Sequence, residues 1–363
     1  MYIYDIQLVN FKNYEEAKFE FSPKVNCIVG NNGVGKTNLL DAVHYMSMTK
    51  SYFGSLDMPN INHGKDFFAI HAHCVFDDVE GLQKISCIQQ EGKRKIFKIN
   101  QKEYDKMSEH IGLLPSVMIS PYDTDYINGI AEIRRKYFDS IISQIDKNYL
   151  SDLMTYNRLL SQRNTILKQQ YDRNRFDKTE LQIWDERLVH LGQLIFAKRQ
   201  EFLQEFVPVF EDYFNRISPE KEVINVEYVS QLQNGDFSTL LSNSGERDFY
   251  SQHTSVGIHK DDYKFEMNAY PVKRYCSQGQ QKTFLVALKL SQFAIIKQLT
   301  KKVPLLLLDD VFDKLDNYRI GELIKMVAGN SFGQVFISDT NKERMENLFQ
   351  NHHIDFNLIV VED

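Results

Sequence analysis

The run Gly30-Asn31-Asn32-Gly33-Val34-Gly35-Lys36-Thr37 spells G-x-x-x-x-G-K-[ST]. The residue types suit one chemistry, the holding of a nucleotide's phosphates. Glycines let the backbone wrap a phosphate, and its N–H groups and the following helix start supply positive potential. Lys36 reaches the β- and γ-phosphates, and Thr37 ligates Mg²⁺. An apolar strand-like run, Val25 to Val29, precedes the loop, and Asn38 to Val43 follows it as a helix. Asn38 therefore closes the expected nucleotide-binding stretch. Such a match arises by chance in a chain this long on the order of one time in a hundred, so ATP with Mg²⁺ is the expected ligand pair.

Further along, Val303 to Leu308 reads as a buried parallel strand that ends in Asp309-Asp310. By itself an apolar strand ending in two carboxylates is an ordinary exit into a loop. Paired with the phosphate loop, Asp309 is expected to hold the Mg²⁺ shell and Asp310 to polarise the attacking water. Between the two, Ser277-Gln278-Gly279-Gln280 opens a helical run. A small hydroxyl and a glycine there make an N-cap and also an anion site.

Basic residues could meet nucleic acid. Lys93, Arg94, Lys95, Lys98, Lys102 and Lys106 crowd the stretch from Glu91 to Lys106, Arg134-Arg135-Lys136 forms a second cluster, and Lys198-Arg199 lies on a long helix. Phosphate neutralisation needs such groups, although a charge run is commonly a solvated face. Lys93, Arg94, Lys95, Arg134 and Arg135 are the candidates for DNA contact, and the last two could equally serve a nucleotide or subunit interface. The ten histidines show no metal-ligand spacing with carboxylates, and no Ser/His/Asp nucleophilic arrangement is visible.

The elements that would position these residues follow from periodicity. Tyr2 to Leu8 and Ala17 to Phe21 alternate as strands, and Phe67 to Ile99 holds further β-like runs. Arg134 to Arg163 reads as helical, Gln169 to Lys178 as a charged connection, and Leu181 to Ile217 as a long amphipathic helix that Pro208 kinks or splits. The spacing predicts an α/β head built from residues 1–124 and 251–363, with a mainly helical lobe at 125–250. With 363 residues, 42% hydrophobic and 12% aromatic, the chain has ample apolar surface for such cores. The net charge of −6 does not advertise nucleic-acid binding, which needs only a local basic surface. No apolar run approaches a membrane span, no leader pattern is visible, and the four cysteines are scattered, so a soluble cytoplasmic protein is expected.

Taken together, GNNGVGKTN, SQGQQK before LLLLDD, and VFDKLD after it resemble ABC-type P-loop ATPases of the SMC/Rad50 group. The opening Phe11-Lys12-Asn13-Tyr14, Ser120-Pro121-Tyr122-Asp123, the stretch from Glu132 to Asp139 and that from Val256 to Asp262 are similar to one family within it, the RecF recombination mediators. The resemblance covers nearly the whole chain, most weakly at about 165–255. It implies that Ser277, Gln278, Gly279 and Gln280 form a signature motif acting in trans on ATP bound to a second copy, and that Asp316 is the D-loop aspartate. An ATP-dependent homodimer is then expected, binding single-stranded and gapped duplex DNA in replication, recombinational repair and SOS induction. RecR would be a partner, with RecO and RecA functionally linked. Departures also stand out. No glutamine lies between Pro115 and Arg134, so Asp123 or a neighbour is expected to replace the Q-loop glutamine. Ser338-Asp339-Thr340 occupies the place of a switch histidine, and Asp310 that of a glutamate. These predict a slow, switch-like ATPase. Two rival readings are the nucleotide-binding subunit of a membrane transporter and an SMC-like DNA-bridging ATPase. The 241 residues between Lys36 and Ser277 argue against the first. The shortness of the insertion, against a coiled-coil arm, argues against the second.

Overall fold

The structure, a computed structural model, describes residues 1–54, 56–218, 222–312, 317–328 and 332–362. The chain divides into two compact units, a head of 1–123, 212–220 and 278–363, and a lobe of 124–211 and 221–277.

The head contains two sheets. β1 (Tyr2–Phe11), β2 (Tyr14–Glu20), β4 (Phe67–Phe76), β5 (Val79–Gln90), β6 (Ile96–Ile99) and β7 (Lys102–Glu103) form a six-stranded antiparallel sheet in the order β2-β1-β4-β5-β6-β7. β3 (Val25–Val29), β8 (Ser116–Ile119), β12 (Leu305–Leu308), β13 (Val335–Asp339) and β14 (Phe356–Val360) make a parallel sheet in the order β14-β3-β13-β12-β8. Helix α1 (Lys36–Met48) touches both sheets and buries most of its residues, including Leu39, Leu40, Val43 and Tyr45. A helix apolar on nearly every side belongs between two layers. The strands differ for the same reason. β3 and β12 are buried at every residue, the mark of a central parallel strand, whereas β4 alternates buried and half-buried positions along one polar face. Helix α9 (Gln278–Thr300) packs on β8, and α10 (Asn317–Ala328) and α11 (Lys342–Asn351) complete the unit.

The lobe holds α2 (Thr124–Asn128), α3 (Ala131–Ile145), α4 (Lys147–Asp172), most of α5 (Lys178–Ile217), α6 (Phe237–Asn243), α7 (Gly245–Ser251) and α8 (Val272–Tyr275). It also holds the antiparallel strands β9 (Ile224–Val229), β10 (Asp262–Met267) and β11 (Tyr270–Pro271). That sheet moves the expected boundary. Because β9 pairs along its length with β10, residues 251–277 belong with the lobe rather than with the head.

Three local expectations change as well. The helical run expected from Arg134 to Arg163 is two helices, because Asp146 stays extended and its carboxylate accepts from Asn148 N and Tyr149 N to cap α4. The charged connection shrinks, since α4 continues to Asp172. Pro208 does not split α5, which runs through it for 40 residues. Pro208 and Gln204, whose carbonyl loses its helical partner there, are both exposed, while Phe206, Phe210 and Phe214 stay buried on the opposite side.

Candidate nucleotide site

β3 ends at Val29 and α1 begins at Lys36, so the loop between them lies at the carboxyl edge of the parallel sheet. Two glycines have definite steric jobs. A Cβ on Gly30 would meet the Val361 carbonyl at 2.3 Å, and Gly35 sits at φ 113 with the Asn13 side chain 2.5 Å from where its Cβ would be. The loop is held from outside by the turn between β1 and β2. Asn13 Nδ2 donates to Val34 O at 2.9 Å, Tyr14 Oη to Gly35 O at 3.0 Å, and Asn38 Nδ2 to Asn13 Oδ1 at 2.7 Å. Lys36, 5% exposed, folds back over the loop and donates to the carbonyls of Gly30 at 2.9 Å and Asn31 at 2.8 Å. Both are neutral acceptors that an anion can displace.

The second half of the site comes from the neighbouring strands. β13 lies between β3 and β12, which places the ends of all three side by side. Thr37 Oγ1 donates to Asp309 Oδ1 at 2.8 Å, and Ser338 Oγ donates to the same oxygen at 2.9 Å. Asp310 N donates to Ser338 Oγ at 2.9 Å, and Asp310 itself has φ 47. Burial pushes the Asp309 carboxyl up from its ordinary value, while the Thr37 and Ser338 hydroxyls pull it down. A buried carboxylate whose described partners are two hydroxyls, one of them the loop threonine, fits a hard cation. Mg²⁺ takes few carboxylates and completes its shell with phosphate and water oxygens. Thr37 and Asp309 are the residues that would hold it.

With this geometry in place, comparison with known proteins is decisive. Residues 2–358 match the RecF/RecN/SMC N terminal domain. The chain is 45% identical to the DNA replication and repair protein RecF of Flavobacterium johnsoniae, over 97% of this chain and 98% of that one, and 42% identical to that of Phocaeicola vulgatus, over 99% and 96%. The chain belongs to the RecF family. Its fold agrees. The recombination mediator protein RecF solved with ATP superposes with a TM-score of 0.87 at 32% identity, covering 94% of this chain and 92% of that one. An Smc head bound to the C-winged helix domain of ScpA matches at 0.55 and 16% identity, which speaks for the fold alone. This is an ABC-type ATPase head, assembled from both ends of the chain, with an inserted lobe.

Other expected residues of this RecF-family chain find their places. Ser277 immediately precedes α9 and is exposed, as are Gln278 and Gly279, while Gln280 is half-buried. Asp316 lies outside the described residues. Asp123, named with its neighbours as a substitute for a Q-loop glutamine, sits in a buried polar network. It is 3% exposed, accepts Ser120 N at 2.9 Å and the Tyr52 hydroxyl, and pairs with Lys289 Nζ of α9 at 3.5 Å. Its carboxyl is pushed up by burial and pulled down by Lys289. Behind α1, Lys12 Nζ pairs at 2.6 Å with Asp41, which also accepts Ser51 Oγ and Tyr52 N, both at 2.7 Å. His44, pushed down to about 4 chiefly by burial, stays neutral beside Tyr52. Asn13 and Tyr14 thus hold the loop, and Lys12 pairs with α1, although the sequence marks them only as a familiar opening. Nothing in it marks Tyr52 or Lys289.

The basic candidates separate sharply. Lys93 and Arg94 are exposed, and Arg94 Nη2 donates to Asp105 O at 2.7 Å. Lys95 is corrected. Its ammonium pairs with Asp57 Oδ2 at 2.8 Å and donates to Thr49 O at 2.7 Å and Tyr45 Oη at 3.0 Å, so it caps the C-terminal end of α1 instead of facing solvent. Arg134 forks onto Asp262 at 2.8 and 3.0 Å and donates to Gly129 O, while Arg135 donates to Asp261 O at 2.6 Å. Both guanidiniums join α3 to β10 and its entry. Arg199, a basic residue of the long helix, is 1% exposed.

Proposed function

We propose that the chain is an ATP-dependent DNA-binding protein of replication and recombinational repair, acting in the cytoplasm at single-strand gaps, with a role in SOS induction. The observation that carries the ATP part is the meeting of Thr37, Asp309 and Ser338 beside the Lys36 loop. Lys36 would leave its two loop carbonyls for the β- and γ-phosphates, and the loop's N–H groups would hold the same oxygens. Mg²⁺, held by Thr37 and Asp309, would supply charge neutralisation on the phosphates. Asp310 would orient the attacking water, and with one methylene fewer than glutamate it supports slow turnover. The exposed Ser277, Gln278 and Gly279, with Gln280, would meet the γ-phosphate on a second copy, so that ATP makes the dimer and hydrolysis releases it. RecF solved with ATP, in the RecFOR pathway, supports ATP as ligand and RecR and RecO as partners; a functional link to RecA is what the family resemblance implies.

For DNA, the exposed Lys93 and Arg94 are the candidates best placed to neutralise phosphates, now without Lys95, Arg134 and Arg135. Sedimentation with and without ATP, in the presence of gapped or plain duplex, tests the whole reading. A monomer that dimerises with ATP and then binds gapped DNA most tightly is expected. A chain that sediments as a monomer under every condition would overturn it.

A further inference from the structure

Ser338 lies near the end of β13 and opens the Ser338-Asp339-Thr340 stretch, and its side chain joins the two aspartates at the end of β12. It is fully buried, and its one hydroxyl uses both of its capacities on functional residues. The proton goes to Asp309 Oδ1, and a lone pair accepts Asp310 N–H. We infer that Ser338 is a positioning residue for ATP hydrolysis, fixing Asp309 and Asp310 relative to each other and to the phosphate loop. The inference rests on the ATPase reading above.

The argument runs through Asp310. Its φ of 47 is left-handed, a conformation that aspartate adopts more readily than most residues, and a fixed partner selects it among the alternatives. The hydrogen bond from its backbone N–H to Ser338 is such a constraint, and it sets the direction in which the carboxyl leaves the main chain. The same hydroxyl holds the Asp309 oxygen that Thr37 also holds. One carboxylate oxygen therefore ties together the first turn of α1, the end of β12 and the end of β13. Shifting Ser338 would displace the candidate Mg²⁺ ligand and the candidate water-orienting carboxylate together. A side chain whose role was only to fill the core would not need a hydroxyl, since its neighbours in β13, Phe336 and Ile337, are apolar and fully buried.

Ser338→Ala removes both bonds and little volume, while Ser338→Thr keeps the hydroxyl on a residue that strands favour. Loss of a hydrogen bond to a charged acceptor is worth about tenfold or more in a rate that depends on it. Ser338→Ala should therefore lower turnover at saturating ATP by about tenfold or more. ATP affinity measured without Mg²⁺ should stay close to wild type, the ATP-induced dimer should decay more slowly after an ATP chase, and Ser338→Thr should recover most of the rate. Wild-type turnover by Ser338→Ala overturns the inference, as does a Ser338→Thr variant no faster than alanine. An equal fall in turnover and Mg²⁺-free affinity assigns Ser338 to the fold instead and also overturns it. If the alanine variant does not fold, Ser338→Cys, which keeps the volume with a weak donor, replaces it, and equal rates for cysteine and threonine then decide against the hydroxyl. A wild-type chain that binds no ATP or never hydrolyses it sinks the ATPase reading itself, and the inference with it. Failure of the serine variants alone leaves that reading standing.

Discussion

In the lobe, Arg163 and Arg199 are each 1% exposed and matched by carboxylates; in the head, Lys36 and Asp309 are almost as buried and matched by neutral oxygens. Arg199 forks onto Asp139 at 3.0 and 2.9 Å, reaches Asp261 at 3.0 Å and donates to Ile258 O at 2.9 Å. Arg163 meets Asp185 at 2.6 Å, Asp248 at 2.9 Å and Thr254 Oγ1 at 2.9 Å. Such charges are complete, and each sits among helices and strands that they hold in register. Among the described residues, Lys36 and Asp309 have carbonyls and hydroxyls for close partners, groups that exchange readily for a phosphate or a cation. Buried charge paired with charge stiffens a framework, whereas buried charge paired with dipoles is ready for a ligand.

The largest effect expected from this contrast is on the framework. Arg199→Met would leave the buried Asp261 and the half-buried Asp139 without that cation, and breaking such a network costs about 3–5 kcal/mol. Urea unfolding should show that loss, and a loss below about 1 kcal/mol would remove the contrast. Lys36→Ala should do the opposite. Its ammonium bonds to loop carbonyls, so the melting temperature should hold while ATP turnover falls by about a hundredfold or more, as for other groups that stabilise transferring charge. Wild-type turnover by this variant would break the nucleotide assignment.

Ser277→Arg tests whether the exposed edge of α9 belongs with the ligand-ready groups. Added bulk and charge should abolish ATP-induced dimerisation, read by sedimentation, while ATP binding to the monomer stays nearly intact. Dimerisation that survives the change would place the signature motif outside the partner's site. The smallest effect is at the basic hairpin. Neutralising Lys93 and Arg94 together should flatten the log–log salt dependence of duplex binding by about 0.9 for each phosphate that the protein ceases to neutralise. Adding Lys95→Ala should cost stability, because that cation belongs with the framework charges. A salt slope that responds to Lys95 alone would reverse the assignment within the cluster.

The candidate nucleotide residues stand out in the sequence because the chemistry imposes types and spacing on a contiguous run. Gly30, Gly35, Lys36 and Thr37 must be those residues for a loop to wrap a phosphate, and an apolar strand ending in Asp309-Asp310 has few other uses beside such a loop. Lys93, Arg94 and Lys95 were not separable, because three adjacent cations look alike until their tertiary surroundings distinguish them. Lys95 differs only in that the end of α1 and Asp57 come to lie against it. The lobe boundary was missed for a similar reason. β9 and β10 are short strands separated by two short helices, and only their pairing shows that residues 251–277 stay with the lobe.

By itself the sequence determined an α/β head interrupted by a lobe, and it named the glycine loop and the carboxylate pair as candidates; the signature role of Ser277 to Gln280 came only from resemblance. The loop, the pair and the elements are written in neighbouring residues or in a period set by backbone geometry. Only the tertiary structure decided which charges are framework and which are ligand-ready, because that depends on partners far away in the chain. Asp41 finds Lys12, Asp123 finds Lys289, and Arg199 finds Asp139 and Asp261. Ser338 reaches Asp309 and Asp310 across adjacent strands, a meeting that parallel pairing creates and that no local pattern records.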